Sequence, residues 1–127
     1  MTDVLAVIPA RYGSTRFPGK PLAAICGKPL IQHVWEAAIR CRVLSRVVIA
    51  TDDERICEVA HAFGAECVMT GECASGTDRV AEVARRSAES LVLNIQGDEP
   101  LLQPEWLEAL VEPLRSKLFV KNGSVSV

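Results

Sequence analysis

The sequence predicts an α/β fold, a Rossmann-like parallel sheet with helices on both faces. Three observations carry that expectation. Short apolar runs alternate four times with helical hydrophobic periods, the pattern of strand–helix–strand units with crossover connections. The apolar runs are continuous, as in strands buried on both sides. The chain has 127 residues, 49% of them apolar and 24% charged. That is ordinary globular composition at a one-domain size, with enough chain to bury a core.

Each element has its own signal. Val4 to Ile8 reads as the first strand, stopped by Pro9, and a polar Gly/Pro-rich loop follows from Arg11 to Pro21. Pro29 suits the first turn of a helix, with Leu30, Val34, Ala38 and Cys41 on one face. Arg46 to Ala50 is the second strand, and Thr51-Asp52-Asp53 offers capping groups for the next helix. Ile56, Val59, Ala60 and Phe63 are spaced for its inner face, and Gly64 stands at a C′ position. Ala65 to Met69 is the third strand. Ser75-Gly76-Thr77 opens a third helix with Val80, Val83 and Ala84 inward. Leu91 to Ile95 is the fourth strand, and a fourth helix is expected from about Pro104 to Leu114. Phe119 to Val127 has no clear period. In folds of this kind ligands bind beyond the carboxyl ends of the strands, at the switch in strand order. The loops after the first and fourth strands are therefore the places to look.

Charge narrows the ligand class. Residues 4 to 35 carry Arg11, Arg16, Lys20 and Lys28 and no acid, although the whole chain is at −2. A local cationic cluster in an acidic chain suits a small anionic ligand, not nucleic acid. No apolar run approaches a membrane span, so no membrane insertion is expected, and no secretory signal opens the chain. The five cysteines are odd in number and none are spaced C-x-x-C. Neither a disulfide framework nor a zinc site is expected; small core residues in a reducing cytoplasm are.

Three motifs carry chemistry. The first is the loop from Pro9 to Leu22, in which Gly13 and Gly19 let backbone amides approach an anion while Arg11, Arg16 and Lys20 surround it. It is not a Walker A loop: the glycines are one residue too far apart, and Pro21 replaces the hydroxyl residue. Three cations without an acid repel one another unless an anion neutralises them. The second motif is Asn94-Ile95-Gln96-Gly97-Asp98-Glu99-Pro100. Asp98 there reads either as a magnesium ligand facing the first loop or as part of an Asx-type turn. The third is Ser75-Gly76-Thr77-Asp78-Arg79, a helix cap or a receiver of a polar ligand group. Asp52 and Asp53 are most simply helix caps. His33 and His61 lie on predicted helices as surface or packing residues.

The run Val7-Ile8-Pro9-Ala10-Arg11-Tyr12-Gly13-Ser14-Thr15-Arg16-Phe17-Pro18-Gly19-Lys20-Pro21-Leu22 closely resembles 3-deoxy-manno-octulosonate (Kdo) cytidylyltransferases. Ala50-Thr51-Asp52, the segment from Ser75 to Glu82, Asn94 to Pro100, and Gly27-Lys28-Pro29-Leu30-Ile31 match in the same order. The resemblance implies the nucleotide-diphospho-sugar transferase type of fold. It implies transfer of CMP from CTP to Kdo with release of pyrophosphate, Mg²⁺ dependence, and a cytoplasmic role in lipopolysaccharide biosynthesis. Carried over by position, Arg11 and Lys20 hold the CTP phosphates, with Arg16 and Ser14 in the same cradle. Ala10 and Arg79 belong to the cytidine pocket, Gln96 faces nucleotide or sugar, Ser75 and Gly76 shape the loop beside the base, and Asp98 binds magnesium. Arg11, Lys20 and Asp98 are the expected catalytic residues.

The same resemblance implies a homodimer about twice this length, whose second half supplies the dimer interface, most of the Kdo pocket and a further acidic ligand. The expectation is thus a truncated fold. Residues 1–116 form the nucleotide-binding half and residues 117–127 a divergent tail. The alternatives are an inactive fragment that only binds CTP and Mg²⁺, or a cytidylyltransferase for another sugar acid.

Overall fold

The computed structural model describes residues 3–13, 19–73, 75–89, 91–95 and 124–126. The central strand β1 spans Val4–Pro9 and is buried along its whole length. Its alternating side chains serve two cores. Val4, Ala6 and Ile8 pack with Ile31, Val34 and Ala38 of helix α1 (Leu30–Ile39) and Ile56 and Ala60 of helix α2 (Glu54–Ala62). Leu5 and Val7 pack with Val80, Val83 and Ala84 of helix α3 (Gly76–Arg85) on the other face. Helices on both faces are thus present, as the apolar runs predict.

Between β1 and α1 lie a 3-10 turn, Lys20–Leu22, and a small hairpin of β2 (Ala24–Ile25) and β3 (Lys28–Pro29). The hairpin is absent from the sequence expectation. Its two-residue turn needs positive φ at both positions, met by Cys26 (52°) and Gly27 (80°). Pro29 accordingly ends β3 and caps α1, one position earlier than expected. His33 reaches from α1 to the Ile25 carbonyl at 2.5 Å, tying hairpin to helix.

The remaining strands are β4 (Arg46–Thr51), β5 (Glu66–Met69), β6 (Leu91–Asn94) and β7 (Ser124–Ser126). The sheet order is β5-β4-β1-β6-β7, with every neighbouring pair parallel. The order therefore reverses between β1 and β6, which places a switch point beyond Pro9 and Asn94. Pro9 lies inside β1, in register with Ala50, and the ladder to β4 passes it through the Ala10 amide, so the missing Pro9 N–H costs that pairing nothing. β7 has no counterpart in the sequence expectation: its three residues are too short and polar for a periodic signal. The fourth expected helix, Pro104 to Leu114, lies outside the described residues. No described helix is long and apolar enough to cross a membrane.

The cysteine expectation requires correction. Cys57 on α2 and Cys67 on β5 form a disulfide, with their Cα atoms 5.5 Å apart. The tight Gly64 turn folds α2 back onto β5, and a separation of ten residues then suffices to bring the sulfurs together. A closed loop of this size contributes roughly 3 kcal/mol in the chain-entropy picture. The check is alkylation after unfolding. Without reductant only Cys26, Cys41 and Cys73 should react; with reductant all five should. Five modifications in both samples would show that the pair is not bridged.

Candidate active site

The first loop leaves the sheet at Pro9. Ala10, 5% exposed, continues the ladder by donating its amide to the Ala50 carbonyl at 2.9 Å. Arg11 is exposed, and its Nε donates to the Gly13 carbonyl at 2.6 Å. Gly19 donates its amide to the Tyr12 carbonyl at 2.7 Å, which closes the neck of the loop. Gly19 has a φ of 74°, and a Cβ there would lie 3.1 Å from the Tyr12 ring. Glycine is therefore required twice over, for backbone and for space. Lys20 follows directly, on the 3-10 turn at the same mouth. The neck thus holds two of the predicted cations, Arg11 and Lys20, at the end of β1. Ser14 and Arg16 lie outside the described residues.

Helix α3 supplies the second wall. Ser75 caps it, its Oγ accepting the Asp78 amide at 3.1 Å, so of the two readings of that motif the structure bears out the cap. Gly76 lies against the end of β1: a Cβ there would be 3.4 Å from Pro9 Cγ. The N-terminus of α3 therefore sits beside the loop that carries Arg11. Gln96 and Asp98 lie outside the described residues. β6 delivers the chain toward them by a bond from the Ile95 amide to the Val7 carbonyl at 3.0 Å, next to β1.

Arg79 is the buried charge of the site, only 3% exposed. Its Nη1 donates to Thr70 Oγ1 and to the Gly71 carbonyl (3.3 Å), and its Nη2 pairs with Asp52 Oδ2 at 3.5 Å. The guanidinium therefore joins the loops after β4 and β5. A charge out of water must be partnered, and these three groups supply the partners. Asp52 is thus not the helix cap. Asp53 is: its Oδ1 accepts the Arg55 amide at 2.8 Å.

Sequence reasoning missed the residues that steady this end of the sheet. Glu82 on α3 accepts the Gly71 amide at 3.2 Å and pairs with Arg86, which also reaches the Met69 carbonyl. The i,i+4 spacing of Glu82 and Arg86 was a visible signal. Partial burial pushes the Glu82 carboxyl up, but the Gly71 amide and Arg86 together hold it below the usual carboxylate range. Among the described residues no three His, Cys, Asp or Glu side chains come together as a metal cage.

Two outcomes test this geometry. Asp52→Ala leaves Arg79 short of its counter-charge and should cost about 1–3 kcal/mol in urea unfolding. A midpoint unchanged from the parent would remove the pair from the site's framework. A lowered Glu82 pKa means its contribution is present above the ordinary carboxylate pKa and is lost as pH falls through the folded value. Hydrogen exchange at the Gly71 amide, corrected for intrinsic rate, should keep its protection through the ordinary carboxylate pKa and lose it only at lower pH.

Comparison with known proteins agrees with this fold. The Cytidylyltransferase family matches residues 5–124. The 3-deoxy-manno-octulosonate cytidylyltransferase of Trichlorobacter lovleyi is 50% identical over 124 residues, 97% of this chain and 49% of that protein. That of Anaeromyxobacter dehalogenans is 56% identical over 113 residues, 87% of this chain and 47% of its own. A solved CMP:2-keto-3-deoxy-manno-octonic acid synthetase, complexed with CTP, superposes with a TM-score of 0.89 at 44% identity. The match covers 91% of this chain and 48% of that one. The chain spans about half the length of the curated relatives it matches. A cationic, glycine-closed loop at the switch point of a parallel sheet, on a chain matched over nearly its whole length, has one consistent reading: the chain belongs to the cytidylyltransferase family.

Proposed function

We propose that these residues form the nucleotide-binding half of a 3-deoxy-manno-octulosonate cytidylyltransferase. The reaction transfers CMP from CTP to the sugar acid and releases pyrophosphate. The observation that carries the reading is the placement of Arg11 and Lys20 on the closed neck of one loop, at the switch point, in a chain so similar to those enzymes.

The chemistry needs little beyond position and charge. The sugar hydroxyl attacks the α-phosphorus in line with the departing pyrophosphate, on which negative charge accumulates. Arg11 offers a planar fork to phosphate oxygens and Lys20 a mobile point charge. Arg16 and Ser14 extend the same cradle. The Ala10 backbone and the Ser75–Gly76 corner line the base side, and Gln96 faces nucleotide or sugar. Arg79 acts there by shaping the wall, because its guanidinium is already engaged by Asp52, Thr70 and Gly71.

Mg²⁺ belongs to the proposal through Asp98. A single carboxylate completed by triphosphate oxygens and water is a donor set that suits this ion, and it needs no protein cage. When bound, the ion would neutralise charge on the leaving pyrophosphate. Cytoplasmic location, a role in lipopolysaccharide biosynthesis and assembly as a homodimer follow from the same reading.

Calorimetry tests the nucleotide half directly. The chain should bind CTP with Mg²⁺ in preference to UTP, and Lys20→Ala should weaken CTP at least tenfold, the worth of a charge-assisted contact of about 1.5–3 kcal/mol. Asp98→Asn should weaken CTP only when Mg²⁺ is present. Pyrophosphate release with CTP, Mg²⁺ and Kdo tests the whole reaction. No CTP binding, or equal binding by the Lys20 variant, would defeat the reading.

A further inference from the structure

We propose that Arg55, on α2, is a positioning residue for the phosphate loop, acting through Tyr12. The inference rests on the triphosphate reading of that loop. The Arg55 guanidinium carbon lies 3.3 Å from the Tyr12 ring centroid. Its outer edge is held by Asp53, which accepts from Nε at 3.0 Å and from Nη2 at 2.7 Å. Asp53 is itself fixed as the cap of α2. A rigid helix end therefore presses a planar cation onto Tyr12.

Tyr12 stands at the neck. It is flanked by Arg11 and Gly13, its carbonyl accepts the Gly19 amide, and its ring fills the space that a side chain at Gly19 would need. Lys20 follows Gly19. Holding the ring thus fixes the spacing between the two cations that face the triphosphate. The Arg55 side chain is 58% exposed. Its burial cannot explain the arrangement; the stack and the carboxylate fork can. The planar group matters, because an ammonium cannot stack and fork at once.

Tyr12 is the chain's one tyrosine, so 3-fluorotyrosine gives a single ¹⁹F resonance at the neck. In the unliganded chain, Arg55→Ala should shift that resonance. It should weaken CTP binding about two- to fivefold, the range expected from losing an exposed cation–π contact, while CMP binding is unchanged. Arg55→Lys should restore neither the resonance nor the affinity in full. An unshifted resonance would overturn the inference, as would unchanged CTP affinity in Arg55→Ala where Lys20→Ala is impaired. Full affinity in Arg55→Lys would also overturn it, by showing a simple charge contact. A chain that binds no CTP at all, or is indifferent to Lys20→Ala, would fail the triphosphate reading itself and the inference with it.

Discussion

The structure depends on a strand that is buried from both sides. β1 contributes Val4, Leu5, Val7 and Ile8 with no exposure, and burying each such side chain is worth roughly 1.5–3 kcal/mol. Together these burials are comparable with the whole net stability of a domain, about 5–15 kcal/mol. The strand can therefore occupy only the middle of the sheet, with β4 on one side and β6 on the other. That position dictates the site. A central strand whose two neighbours lead away in opposite directions leaves a crevice at its end, and the chain places its glycines and cations there.

The crevice needs firm edges, and the edges are polar. The loop after β5 is pinned from α3 by Arg79, Glu82 and Arg86. The loop after β4 is pinned by Asp52 through Arg79 and by Asp53 through the cap of α2. Two adjacent aspartates thus serve different helices. A similar charge arrangement lies at the opposite end of the sheet, where Arg46 bridges Glu66 at the start of β5 and Glu89 just before β6. Arg46 is held above its usual pKa chiefly by its hydrogen bond to Glu66.

Much of the fold was legible because its signals were local or periodic. Ile56 and Ala60 announced the inner face of α2, and Gly64 its end; both lie as their spacing required. Ser75 announced the start of α3. The misses share a different cause. The β2–β3 hairpin turns on Cys26 at positive φ, a conformation its side chain does not advertise. β7 is stabilised by a neighbour distant in sequence. The Cys57–Cys67 pairing depends on the packing of α2 on β5, which residue counts cannot supply. The meeting of Arg11 and Lys20 at the neck of one loop was readable from charge and glycine spacing. The Arg79–Asp52 partnership was not, because it joins two crossovers.

Three of the arginines at this end illustrate how environment assigns a role. Arg79 is buried, and the cost of an unpartnered charge there obliges it to spend its donors on protein groups. It is therefore fixed before any ligand arrives. Arg11 is exposed and bonds to Gly13, two residues on, so under the proposed function exchanging that bond for a phosphate costs little. Arg55 lies between these limits: exposed, yet held by a forked carboxylate and an aromatic face. Such a group is too constrained to follow a ligand and too exposed to be needed by the core. What remains for it is to hold Tyr12, and with it the neck that separates Arg11 from Lys20. Electrostatic stabilisation is most effective when the charges need not move as the reaction proceeds. A residue that touches no phosphate can contribute to that condition by limiting where the neighbouring cations go.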